Sequence, residues 1–244
     1  MKKFKAQAFT LIELSIVIII IGLIAGGIVA GNELISQAKV RGLVREIQAL
    51  TTSINSFKLK FNYLPGDFPY AGAIWTSATC LNSAAPTGCN GNGNYQVVSN
   101  GGVNGSEGYR VWQHLSLANM INGEYTATSA ITDQFPLKYS SKTLVMLRYI
   151  YPFVNSIRYN VLEIGSWDTV NSQPINGEIT PVDAYSIDNK IDDGIANKGR
   201  VFGNDGLNVS SGLCSYLNSS PNGLPDYNII GTQGNYCRLK IVID

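Results

Sequence analysis

Charge is what this chain has least of: Asp, Glu, Lys and Arg together make 14% of its 244 residues and leave a net charge of +1. So even a balance gives no general attraction to nucleic acid or to anionic membranes. Histidine is rarer still, with one residue, His114. A single imidazole excludes a Cys/His zinc site, and none of the four cysteines stands in CxxC spacing. The signatures of common enzymes are missing too: no GxSxG elbow, Walker loop, GxGxxG or HExxH occurs. His114, close to Trp112, reads as a packed or surface residue rather than a base. The chain is therefore read as non-enzymatic, and no nucleic-acid partner is indicated. Proline is absent until Pro65, so nothing forbids one long helix before it.

What is present begins with an apolar run. Phe9 to Gly31, roughly 23 residues, carries one charge, Glu13. At ~1.5 Å per residue such a helix crosses the ~30 Å hydrocarbon core of a bilayer. Lys2, Lys3 and Lys5 precede the run, and Lys39, Arg41 and Arg45 follow it, so flanking charge does not fix its orientation. A cleaved secretory signal fits the basic start and the small residues near Ala30, but the run exceeds the usual ~7–15 apolar residues. An ordinary anchor helix with Glu13 snorkelling near its end is a second reading. Both leave the carboxylate without a purpose, and a central acidic residue costs about 2.5–3.5 kcal/mol on insertion scales.

The string "AFTLIELSIVIIIIGLIAG" resembles the N-terminus of type IV prepilins and type II secretion pseudopilins. The resemblance runs continuously from Ala8 to about Ala25. It implies a leader, residues 1–8, cut by a prepilin peptidase between Ala8 and Phe9, and N-methylation of the new amine on Phe9. It implies further that Glu13 pairs with the N-terminal amine of a neighbouring subunit. The partners implied are other pilin or pseudopilin subunits, the peptidase and an inner-membrane assembly platform. The chain departs from the family by having Ala8 where glycine usually precedes the cut, and Ala30 where a helix proline is common. Glu13 then makes physical sense, because a carboxylate in low dielectric is costly alone and tolerable when paired. Residues 9–31 become the membrane and assembly helix, with the N-terminus cytoplasmic and the rest periplasmic, then in a filament in the periplasm or at the cell surface. The rival reading is a membrane-anchored or secreted binding module or enzyme with a prepilin-like N-terminus.

Beyond Gly31 the pattern turns amphipathic. Leu43, Ile47, Leu50, Ile54, Phe57 and Phe61 recur at spacings of 4, 3, 4, 3 and 4, which predicts a helical stripe against a globular domain. Residues 32–62 continue the helix until "NYLPGD" ends it. Residues 63–244 form the globular domain, with strands expected at Tyr95–Ser99, Leu144–Tyr151, Ile157–Ile164 and Leu239–Ile243. One helix is expected in "YRVWQHLSLANMING", stopped by Gly123, and another at "TPVDAYSIDNK", capped by Thr180 with Pro181 behind it. The fold class is α+β, a long helix on a mostly antiparallel sheet. Residues 76–108, rich in Gly and Asn, are expected to be a surface loop, mobile away from Cys80 and Cys89.

Cys80, Cys89, Cys214 and Cys237 suggest two local disulfides, since closing short loops costs least entropy. Sequence alone leaves the other two connectivities and four free thiols open. Residues 214–237 also resemble the disulfide-bounded C-terminal region of type IV pilins, which leans toward a pilus subunit without separating one from a secretion pseudopilin. Asp188, Asp192 and Asp193 are dense enough to suggest calcium. The EF-hand pattern fails, with Lys190 at its third position and Gly199 at its last. Turn and cap roles are the favoured reading, with no cofactor expected and calcium as the minority alternative.

Overall fold

A computed structural model describes residues 10–76, 80, 88–152, 157–216, 227–231 and 234–243. The chain divides into two compact units, residues 1–39 and 40–244. Helix α1, Leu11–Phe61, contributes to both.

Within the second unit, α1 buries Val40, Leu43, Val44, Ile47, Leu50, Ile54 and Phe57. That is the stripe expected from the 4-3-4 spacing, with two valines added at its start, while Phe61 is half-buried. The remaining elements are α2 (Ala71–Ile74), α3 (Glu107–Leu117), a 3-10 turn (Ile131–Asp133), β1 (Phe135–Pro136), β2 (Thr143–Ile150), β3 (Tyr159–Asp168), β4 (Gln173–Asn176), α4 (Pro181–Ile191), β5 (Val201–Asp205) and β6 (Cys237–Ile243). All pairings are antiparallel, in the order β1-β2-β3-β6-β5, with β4 also on β3. The protein is α+β, a long helix with a mostly antiparallel sheet.

Alternation along the strands separates the two sheet faces. Val145, Leu147, Leu162, Ile164, Leu239 and Ile241 join the α1 stripe in one core. The opposite face carries Met146, Arg148, Val161, Glu163, Lys240 and Val242, as the registers Leu147↔Leu162 and Glu163↔Lys240 require. Glu163 is fully buried there and is met by Arg148 Nη1 at 2.5 Å and Arg238 Nη1 at 3.1 Å. Two guanidinium groups on one carboxylate meet the pairing that a buried charge demands.

Several expectations are corrected by where main-chain donors go. Residues Tyr95–Ser99 form no strand: Tyr95 N–H donates to Asp67 Oδ2, and Val97 N–H donates to Asn160 Oδ1. With side chains taking those protons, no ladder can form. The third expected strand starts later, at Tyr159, and runs on to Asp168. Helix α3 stops at Leu117, well before Gly123, because Asn119 adopts φ +58°. Asn119 N–H then bonds Ser116 O and Met120 N–H bonds Leu115 O, the paired bonds of a Schellman stop. Thr180 does cap α4, accepting from Asp183 N–H, with Pro181 behind it. Disulfides join Cys80 to Cys89 and Cys214 to Cys237.

Burial along α1 separates two kinds of leucine-like position. Phe57, 0% exposed, sits against Phe61, Phe68 and Trp75 at ring distances of 4.5, 6.0 and 6.3 Å. Phe57→Ala should lower the unfolding free energy of the globular unit by about 3–5 kcal/mol. Leu23→Ala, at a side chain 78% exposed, should change it by no more than about 0.5 kcal/mol. Chemical denaturation of the detergent-solubilised protein checks both, and equal effects would contradict the burial pattern.

Candidate functional site

The first turn of α1 is closed by its own side chains. Thr10 N–H and Thr10 Oγ1 both donate to Glu13 Oε2, at 2.8 and 2.7 Å, and Glu13 N–H returns a bond to Thr10 Oγ1 at 3.3 Å. This is a capping box, in which residue pairs three apart satisfy each other's orphan donors. The signal T-x-x-E, Thr10 to Glu13, was readable in the sequence. Both bonds fall on Oε2, so Oε1 keeps its lone pairs for another donor. Ala8 and Phe9, the expected cleavage and methylation positions, lie outside the described residues.

From Leu11 to Ile35 every large apolar side chain is exposed, including Ile16, Ile19, Leu23, Ile28 and Val29 at 52–78%. It is the one helix among the described residues that is long and apolar enough to cross a membrane. An uncovered apolar surface of this extent points to lipid or to other protein. Gly22, Gly26, Gly27 and Gly31 lie in the same segment, and a Cβ at any of them would meet nothing within 4 Å. Glycine costs about 1 kcal/mol against alanine inside a helix, and no contact among the described residues explains four of them. Gly22 and Gly26, like Gly27 and Gly31, have the four-residue spacing that lets two helices approach closely in lipid.

The acidic cluster is used for local structure. Asp188, fully buried, accepts from Tyr227 Oη at 2.8 Å and from Gly194 N–H at 3.1 Å. Desolvation raises its pKa to about 6, against the pull of those two bonds. Asp192 Oδ2 accepts from Arg200 and Val201 N–H, and Asp193 Oδ1 from Ile195 N–H. Gly199, at φ +68°, lets the Asp192 carboxylate approach where a Cβ would stand. One oxygen from each of the three aspartates can come within 4.8 Å of the others. Three carboxylates already accepting N–H bonds are a thin donor set for calcium, which takes about 6–8 oxygens.

A second polar constellation went unread in the sequence. Glu107, Arg110 and His114, spaced 3 and 4 along α3, all lie on one buried side. Each reaches the segment after Cys89. His114 Nδ1 accepts from Gly66 N–H at 2.9 Å, so Nε2 carries the proton and donates to Cys89 O at 2.6 Å. Arg110 Nη1 donates to Asn90 O, while Glu107 accepts from Asn92 N–H and Val98 N–H, both at 3.0 Å. Asp67 accepts from the successive N–H groups of Gly93, Asn94 and Tyr95. Residues 88–98 are therefore fastened nearly residue by residue, which corrects the expectation of a mobile loop there. Residues 77–79 and 81–87 lie outside the described set. His114 is packed, with its ring stacked on Phe57 at 6.0 Å.

Residues 3–29 match the family model of the prokaryotic N-terminal methylation motif. The chain thus carries a type IV prepilin-like signal, which supports a type IV pilin- or pseudopilin-like protein with a membrane-anchoring helix. No curated protein and no solved structure matches the chain.

Burial holds the His114 imidazole at about 4, well below its usual value; the bond to Cys89 O opposes this weakly and the Arg110 charge adds to it. An unfolded chain protonates near pH 6.5 and the folded one only near 4. Stability is thus complete above about pH 6.5 and falls as pH drops toward 4, by up to ~3 kcal/mol from this residue. Because the chain has one histidine, its imidazole NMR signals can be followed without ambiguity. A midpoint near 4 is expected; a midpoint near 6.5 would contradict the buried neutral ring.

Proposed function

We propose that the protein is a structural subunit of a type IV filament, either a minor pilin or a type II secretion pseudopilin. The observation that carries this reading is the exposed apolar surface of α1 from Leu11 to Ile35, most of which lies within the prepilin-like signal matched at residues 3–29. On this reading residues 1–8 are a leader removed between Ala8 and Phe9, and Phe9 is N-methylated. Residues 9–31 wait in the inner membrane, residues 32–62 carry the helix onward, and residues 63–244 form the periplasmic or extracellular domain. That placement puts both disulfides on the oxidising side of the membrane.

Assembly would bring the charged amine of one subunit's Phe9 to Glu13 of another. The open Oε1 beside a capped Oε2 suits this, since a neighbour's ammonium can be accepted without breaking the capping box. Repeated head-to-tail contact of this kind does not close and so builds a fibre. Glycine pairs Gly22/Gly26 and Gly27/Gly31 would let the stacked helices come close. The domain would act through its surface rather than through chemistry of its own, with the inner-membrane platform and the prepilin peptidase as partners.

The capping box also favours a second reading, in which Glu13 serves its own helix and α1 is a plain anchor for an independent binding module or enzyme. Two measurements separate them. Intact mass and N-terminal sequencing from cells with and without prepilin peptidase should show a chain starting at methylated Phe9 only when the peptidase is present. Glu13→Ala should abolish incorporation into filaments, while unfolding of the globular unit stays within about 0.5 kcal/mol. An uncut Met1 in both cells, or a Glu13→Ala protein that assembles normally, would reject the filament reading.

A further inference from the structure

The chain as a whole is nearly balanced in charge, but the distribution is uneven. Residues 46–244 hold 12 Lys and Arg against 15 Asp and Glu. Between Gly31 and Glu46, by contrast, three cations, Lys39, Arg41 and Arg45, stand against one carboxylate, Glu33. All three cations are exposed. Among the described residues none of them meets a carboxylate. Glu33 Oε1 accepts from the Gln37 amide, Glu46 Oε2 accepts from Lys138 N–H, and Arg45 Nε donates to Arg41 O of its own helix. Arg41 and Arg45, four apart on one side of α1, repel each other. The protein itself supplies nothing that this cluster of charge would gain from.

Position along the helix selects the partner. The last exposed large apolar side chains before the cluster are Leu34 and Ile35. At ~1.5 Å per residue, Lys39 stands ~6 Å, Arg41 ~9 Å and Arg45 ~15 Å beyond Ile35 along α1. Helical side chains lean toward the N-terminus of their helix, so long ones reach back over the preceding turn, here toward the apolar segment. The polar layer on each side of a bilayer's hydrocarbon core is roughly 5–8 Å thick. Lys39 and Arg41 thus carry their charge into that layer, and Arg45 stays within about one ~8 Å screening length of it. A guanidinium also matches a phosphate with two parallel N–H donors. Nucleic acid fits less well, because a long polyanion would extend past three cations onto a net-negative remainder. On the orientation proposed above, the positive-inside rule works against basic residues on this flank, yet the sequence places three there.

We infer that Lys39, Arg41 and Arg45 form a basic collar that binds the phosphate headgroups of anionic phospholipid, in the leaflet into which the globular unit's end of α1 emerges. The inference rests on α1 spanning a membrane, as proposed above, and not on its orientation or on filament assembly. The collar fixes how deep the helix sits, since these charges cannot follow the apolar segment into hydrocarbon. A subunit drawn out of the bilayer gives up the contact, so anionic lipid holds the stored form in place.

The test uses the full-length protein reconstituted in phosphatidylcholine vesicles, with a trace of spin-labelled phosphatidylglycerol or spin-labelled phosphatidylcholine. Electron spin resonance reads the fraction of each label that the protein immobilises. Comparison is with a Lys39→Gln, Arg41→Gln, Arg45→Gln triple variant, at positions exposed in the parent. Lys2, Lys3 and Lys5 are the same in both proteins, so the difference reads the collar alone. The expected result is a preference for phosphatidylglycerol that falls about fivefold in the variant, and falls likewise in the parent when salt is raised from about 0.1 to 1 M. The salt arm needs no variant and holds even where the substitutions disturb folding. No preference in the parent, or an equal preference in both proteins, would overturn the inference while leaving the membrane reading of α1 intact. A protein that fails to float with phosphatidylcholine vesicles at all would refute that reading and this inference together.

Discussion

Everything in this molecule depends on one helix having to satisfy two different surroundings. A helix surface that is apolar on all sides cannot remain in water, and one that is apolar on a single stripe cannot remain in lipid without covering its polar faces. Helix α1 has both characters in sequence, and the passage between them falls near Val40, where burial begins. No proline falls in that stretch. The globular unit needs its stretch of that helix as core: Leu43, Ile47, Leu50, Ile54 and Phe57 are nearly inaccessible, and among the described residues there is no other helix of comparable length. On the reading of α1 as an anchor, the anchor is therefore not appended to a finished domain. The same helix supplies part of the domain's core.

How much of this could be read from the residues alone differs by element, for physical reasons. The stripe on α1 was legible because its period is enforced by burial over many turns. Thr180 and Pro181 were legible because a cap is a local device. Tyr95–Ser99 was misread as a strand because composition reports what a segment would do if its partners were main chain. Here the partners are the carboxylate of Asp67 and the amide of Asn160, distant in sequence. Strands β1, β4 and β5 are short and take their identity from the strands beside them. The end of α3 was placed too late because glycine was favoured over asparagine for the left-handed position, and Asn119 fills it equally well.

The candidate site follows the same division. The TLIEL string announces itself, since few contexts put a glutamate there. By contrast, Glu107, Arg110 and His114 are ordinary residues whose helical spacing becomes meaningful only once the segment from Cys89 to Val98 is laid against them. Asp188, Asp192 and Asp193 read in the sequence first as turn and cap residues, with calcium as the minority reading because acidic residues near one another suggest a cation. Their hydrogen bonds show the commoner use, in which carboxylates tie off main-chain N–H groups of loops.

The capping box at the start of α1 has a consequence for the direction of assembly. In the solitary chain Glu13 Oε2 is already bonded by Thr10, so on the filament reading a neighbour would add a bond at Oε1 to a carboxylate that already has partners, instead of rescuing a stranded charge. On the filament reading, the difference in free energy between a subunit held in store and a subunit in place is then small at this contact. A polymer joined through such near-equal states can be lengthened and taken apart by a modest external push in either direction.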